Sequence, residues 1–405
     1  MKHVLHFAIL ILLLNSCFLF SPRPKSDTNF CGDYIAINAY AGFVRNCDAT
    51  EFIESAISPS ALLRENYVRQ SRPLYVLVAS GIGYTIYYTH TIFDSMHWLS
   101  IEKSMYAAYV CMNFIILILT LILFEKIVIR LTHGKIPYVV ILLLSVFATS
   151  NFMTKAFFWT VHQQMFVFLM PLLGIYICMN ISKATHVKWV LLLSFLFGIG
   201  MLAYGSFLIL FVVSIFYFCY VLYIKRKLFS IYTPILLVGA FVLFVLPTIL
   251  WMFFLKYKGV TYYNHEIVRY RQLVWIIDEM SISFGAFVLA LYQNALSFFK
   301  TIPRLYLFFT MLLITCVIRK IKNVNILAWN ENTKLILLNL ICFGGFFILL
   351  GYYADRLTFS LMPIILCLSV ANFKGALSDK KMQIALMITV LIWHAVNVLS
   401  FGPFS

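Results

Sequence analysis

Long apolar runs separated by short polar breaks occupy most of the chain. Runs of about 17–25 residues are what a helix needs to cross a hydrocarbon core of about 30 Å. On that pattern we expect spans at 104–124, 137–152, 160–180, 189–204, 206–224, 232–255, 305–318, 335–351, 357–373 and 383–400. Residues 1–20 add a first helix, with Lys2 before an unbroken apolar run, the shape of an uncleaved signal anchor. The expectation is an all-α polytopic membrane protein of about eleven transmembrane helices, in a single domain covering 1–405.

Two apolar stretches fit this pattern differently. The stretch 74–88 is interrupted by Gly81 and Gly83, and at about 15 residues it is short for a span. The stretch 282–299 is long enough, but counting it as a crossing moves the Arg319 cluster to the other side. Both are therefore expected to lie along the membrane surface, inside two outer loops at 21–103 and 256–304.

Charge supports this choice. With both stretches on the surface, the groups Lys126/Arg130/Lys135, Lys183/Lys188, Lys225-Arg226-Lys227, Arg319-Lys320/Lys322 and Lys374/Lys380/Lys381 all fall on one side, as the positive-inside rule requires of cytoplasmic loops. The formal charge of +16 is thus spread over membrane flanks, a distribution unlike a nucleic-acid surface, and no nucleic-acid partner is expected. Charged residues make up only 11% of the chain and no soluble domain is left over. The amino end is expected in the cytoplasm, and the protein in a bacterial inner membrane with its active face periplasmic or extracellular.

All but three of the 15 acidic residues fall on the outer side. Acids contribute little to orientation, so this bias marks either a site or a solvated face. The first outer loop holds Asp33 and Tyr34 between Cys31 and Cys47, and then Glu65, Arg69, Arg72 and Tyr75. Facing an oxidising compartment, Cys31 and Cys47 would close a short disulfide loop; otherwise they are free thiols. The second outer loop holds His265, Glu266 and Arg269, and a late turn holds Tyr352, Asp355 and Arg356. The polar stretch 159–164, with His162, starts a span on the same side and would line a cavity or bond neighbouring helices.

Outer acids and arginines at a membrane surface suit sugar transfer from a polyprenyl phosphate. A carboxylate takes the acceptor proton, and guanidiniums grip the departing phosphate through paired donors. Asp33 is the candidate base, Arg69, Arg72, Arg269 and Arg356 the phosphate ligands. Tyr34, Glu65, Tyr75, His162, His265, Glu266, Tyr352 and Asp355 are the candidate cavity residues. No zinc-like spacing is present and no metal ligand is named, though Asp33 leaves room for a divalent cation as cofactor.

This layout resembles the GT-C class of lipid-linked-sugar glycosyltransferases, which includes protein O-mannosyltransferases and lipid A aminoarabinose transferases. The resemblance is carried by Gly32-Asp33-Tyr34, by Ser71-Arg72-Pro73-Leu74-Tyr75, and by Asp355-Arg356-Leu357-Thr358-Phe359 with Pro363. It implies an inverting transfer, with Asp33 as base, Arg72 and Arg356 on the lipid phosphate, and a glycan, lipid or protein acceptor. An O-antigen-type polysaccharide polymerase and a transporter or flippase of a lipid-linked substrate are the alternatives.

Overall fold

A computed structural model describes residues 8, 34–36, 42–44, 48–93, 100–181, 187–224, 232–321, 330–351, 355–373, 377 and 379–399. Apart from an antiparallel hairpin of β1 (Tyr34–Ala36) and β2 (Gly42–Val44), these residues are helical. The first of the two regions expected on the outer side continues with α1 (Asp48–Ile57), two 3-10 turns and α2 (Pro73–Phe93). A bundle follows: α3 (Ile101–Thr132), α4 (Tyr138–Thr149), the short α5 (Phe152–Phe157), α6 (Phe166–Ile181), α7 (Val187–Met201), α8 (Phe207–Ile224) and α9 (Tyr232–Tyr257). The second region expected on the outer side comprises α10 (His265–Tyr270), α11 (Val274–Ile282) and α12 (Phe284–Thr301). The bundle closes with α13 (Tyr306–Ile321), α14 (Glu331–Leu350), α15 (Leu361–Phe373) and α16 (Lys380–Leu399).

Six of the described helices are long and apolar enough to cross a membrane: α3, α8, α9, α14, α16, and α6 taken from Gln163. This is a polytopic membrane protein. The spans expected at 137–152, 189–204 and 357–373 fall on shorter apolar helices, because polar residues at 150–151, the tight 201–206 corner and the turn before Leu361 cut them off. The span expected at 305–318 is the second limb of a pair, α12 and α13, bent by 80°. The expected first helix lies outside the described residues except for Ala8.

Burial sorts the bundle. Helices α6 and α15 are apolar around their whole circumference and sit in its middle, since a helix with no polar face must be surrounded by other helices or lipid. Helix α15 packs on α3, α6, α13 and α14, and α6 packs on α3, α8 and α14. The outermost helices are α9 and α16, whose apolar residues largely face outward, and one continuous apolar core joins the rest.

Helix α2 is longer than the interrupted stretch suggested, 21 residues, because Gly81 and Gly83 are accommodated within it. Gly83 lies against Met105, where any side chain would collide, and Tyr75 stacks near Tyr109 at 5.2 Å. Tyr75 and Gly83 of α2 thus meet Tyr109 and Met105 of α3, so the two helices run antiparallel where they touch. Helix α2 is not among the six candidate spans.

The elements alternate in direction, and their ends differ in chemistry. Helices α6, α8 and the turn before α15 start at one end of the bundle, where α7, α9 and α14 finish. The opposite ends carry Arg130, Lys188, Lys320, Lys334, Lys380 and Lys381. Arg130 donates to the Met179 carbonyl at 2.5 Å and to Asn180 at 3.2 Å, closing the C-terminus of α6, where a cation meets the negative end of the helix dipole.

Candidate functional site

A cavity of about 820 Å³ opens at the end of the bundle away from those basic residues. Its polar wall comes from α1 with the turn after it, from residues before α6, from the strand-like run into α10, and from Arg356. Its lining also includes the apolar side chains of Met201, Leu208, Phe346, Phe347, Leu350 and Ile277.

The segment 48–57 becomes helical from an acidic first turn, Asp48 and Glu51, placed where the positive end of the helix dipole favours anions. Both carboxylates grip one guanidinium. Arg69 Nη2 lies 2.6 Å from Asp48 Oδ1 and 2.8 Å from Glu51 Oε2, and its side chain is only 9% exposed. The guanidinium also lies 4.1 Å from the centroid of the Phe52 ring, a cation–π contact that holds it from below.

Arg72 begins the second group. It pairs with Glu266 and donates to Gln163 Oε1, and Ser71 Oγ donates to the other Glu266 oxygen at 3.3 Å. One guanidinium thereby joins the first outer region, the approach to α6 and the second outer region. Burial is the largest single effect and opposes ionisation of Glu266, but the charge and hydrogen bond of Arg72, a backbone hydrogen bond and the charge of Arg69 together hold the carboxyl below its ordinary range. Asp48 behaves alike: burial raises it, and Arg69, His162 and Arg356 together bring it lower.

His162 links the two groups. Its Nε2 lies 3.6 Å from Asp48 Oδ2, while its Nδ1 is buried without a hydrogen-bond partner. Burial, and then the positive charge of Arg356, push its pKa well below 6.5, so it is neutral at pH 7. Arg356 lies 5.6 Å from the centroid of the Phe157 ring, which in turn packs on His162 at 4.9 Å. The backbone around Arg356 is fixed by a Gln164 amide donating to its carbonyl at 3.4 Å, and by Thr358, which shares a 2.7 Å hydroxyl bond with Thr301.

All four arginines singled out in the sequence line this one cavity, together with His162, His265 and Glu266. They are not equivalent. Arg69 and Arg72 are paired with carboxylates, whereas Arg269 and Arg356 have no carboxylate within salt-bridge distance among the described residues. Two expected cavity residues stand away from it. Tyr75 is fully buried among Phe52, Tyr109 and Phe166, and Glu65 instead accepts the Thr261 amide at 3.1 Å. Asp33, Cys31, Cys47, Tyr352 and the side chains of Tyr34 and Asp355 lie outside the described residues.

Asp48 and Glu51 are the site residues that sequence reasoning passed over. Their signal was Asp48-Ala49-Thr50-Glu51 before an apolar-periodic segment, which marks a helix start with acids facing the dipole. No group of three or more metal-ligating side chains exists among the described residues. The arrangement can bind an anion at Arg356 and Arg269 and an apolar chain along the apolar part of the lining, with Asp48 and Glu51 as negative groups in the same cavity. The chain matches no family model, no curated protein and no solved structure.

Proposed function

We propose that this protein is a membrane glycosyltransferase that moves a sugar from a polyprenyl-phosphate donor to an acceptor at the outer face of the membrane, with inversion, on a GT-C-like arrangement of about eleven spans. The single observation that carries the reading is a cavity lined both by four arginines and by aliphatic and aromatic side chains, as an isoprenoid phosphate requires. The acceptor is a glycan, lipid or protein carrying a nucleophilic hydroxyl.

In the reaction, the acceptor oxygen attacks the anomeric carbon and gives its proton to the first-loop carboxylate, Asp33. The bond from that carbon to the phosphate oxygen breaks, and the polyprenyl phosphate leaves with the electron pair. Arg356 holds the leaving phosphate, joined by Arg269. Positive charge develops on the sugar ring in such transition states, and Asp48 with Glu51 supply the fixed negative charge that stabilises it. Neutral His162 keeps Asp48 oriented without adding a competing cation.

The test is transfer of labelled sugar from a polyprenyl-phosphate donor by the purified protein in liposomes. Arg356→Ala should lower turnover by about a hundredfold, the usual effect of removing one charge-stabilising donor, while the protein still inserts and melts normally. Asp33→Asn should abolish transfer. A fully active Arg356→Ala variant would overturn the phosphate assignment, and donor movement across the membrane with no new glycosidic bond would replace the enzyme by a transporter.

A further inference from the structure

The segment 259–273 lines the cavity, and side chains of residues 65–72 hold its middle. Glu65 accepts the Thr261 amide at 3.1 Å, Gln70 Oε1 accepts the Tyr263 amide at 2.8 Å, and Glu266 takes both Ser71 and Arg72. The two ends of the segment are anchored elsewhere. Before it, the Val260 amide closes onto the Leu255 carbonyl of α9; after it, Trp275 Nε1 donates to the Leu349 carbonyl at 3.0 Å. Left-handed residues mark both ends, Gly259 at φ +79° and Arg271 and Leu273 at φ 53° and 62°. The middle is thus a strap held by side chains between fixed ends.

The strap's strongest fastening uses the same guanidinium that a phosphate ligand would use. Three carboxylates, Asp48, Glu51 and Glu266, line the cavity against four guanidiniums, leaving one formal positive charge with His162 neutral. A phosphate monoester carries up to two negative charges and exceeds that balance. Withdrawing Glu266 raises the cavity to two positive charges and frees Arg72 Nη2 for a charge-assisted bond to phosphate, while Nη1 stays on Gln163 Oε1.

We propose that Glu266 is a displaceable carboxylate that occupies Arg72 until a phosphate takes its place, and that the exchange unfastens the 259–273 strap. The strap is then closed over an empty cavity and released by the ligand itself. Binding carries a cost set by the latch, so the apparent affinity is the intrinsic one reduced by the fraction of unlatched molecules. This rests on the reading of the cavity as a phosphate-lipid site; the ligand chemistry it needs is a phosphate monoester, either the departed polyprenyl phosphate, as distinct from the sugar-bearing diester donor, or phosphate free in solution.

Amide hydrogen exchange of the full-length protein in nanodiscs tests it, with three additions: undecaprenyl phosphate in phosphatidylcholine, phosphatidylcholine alone, and phosphatidylcholine with inorganic phosphate. The phosphate lipid should speed exchange at Thr261 and Tyr263, and Glu266→Gln should show the fast exchange without ligand and bind the phosphate lipid about tenfold tighter. Glu266→Asp, which withdraws the same charge by one methylene, should loosen the strap too and serves if the glutamine variant does not insert. Binding of the phosphate lipid with unchanged exchange at both amides overturns the latch and leaves the proposed function standing. Opening by inorganic phosphate without any response to the lipid keeps the latch and overturns the lipid-linked donor. No binding of either overturns both.

Discussion

His162 shows how the charges of this site constrain one another. Burial and the nearby Arg356 depress its pKa below the ordinary 6.5, so in acid the unfolded chain takes up a proton that the folded protein refuses. Its contribution to stability is therefore full above about pH 6.5 and is lost as pH falls below that value. Asp48 and Glu266 are depressed as well, and their contributions hold above 3.8 and 4.5 and disappear as pH falls through their lower folded values. The thermal midpoint should accordingly fall in two stages on acidification, and His162→Gln should remove the first stage and leave the second. A wild-type midpoint that stays constant between about pH 7 and pH 5 would refute the assignment. At this scale the arginines were legible because a charged side chain at a membrane boundary needs a reason. Asp48 and Glu51 were harder to see, since their meaning depends on Arg69 arriving from 21 residues downstream.

Elements were legible where apolarity alone defines them and less so where packing decides. Helices α3, α8 and α9 follow from their hydropathy, whereas α4, α7 and α15 are shorter than the runs that contain them, because corners and caps end them. The continuity of α2 through two glycines was invisible in the sequence, as it depends on Met105 filling the notch at Gly83. The end of α14 offers a direct check. Gly351 closes the helix at φ +78°, and a methyl group there would overlap the Trp275 indole that anchors the strap. Gly351→Ala should destabilise the protein by about 3 kcal/mol, combining the left-handed penalty with overpacking. Adding Trp275→Ala should relieve only the overpacking part, so a double variant as stable as the wild type would contradict this account. Thermal unfolding in detergent reads both.

At the scale of the whole molecule, residues 48–72 and 260–277 converge over one end of a helical bundle, with arginines and carboxylates together there, while Arg130, Lys188, Lys320, Lys334, Lys380 and Lys381 lie at the other end. The sequence did not show that segments about 200 residues apart, at Arg72 and Glu266, would meet. The positive-inside rule gives the orientation a test. Cysteines placed at the exposed positions Tyr257 and His133 should label from opposite sides, the first in intact cells and the second only after the membrane is opened. The reverse would turn the cavity toward the cytoplasm. The apolar wall of the cavity has a kinetic meaning. A ligand held partly by hydrocarbon-facing side chains partitions into the bilayer first and then searches for the protein in two dimensions. Its effective concentration is then a mole fraction in the membrane: diluting the aqueous phase leaves turnover unchanged, while diluting the lipid with inert detergent or phospholipid lowers it.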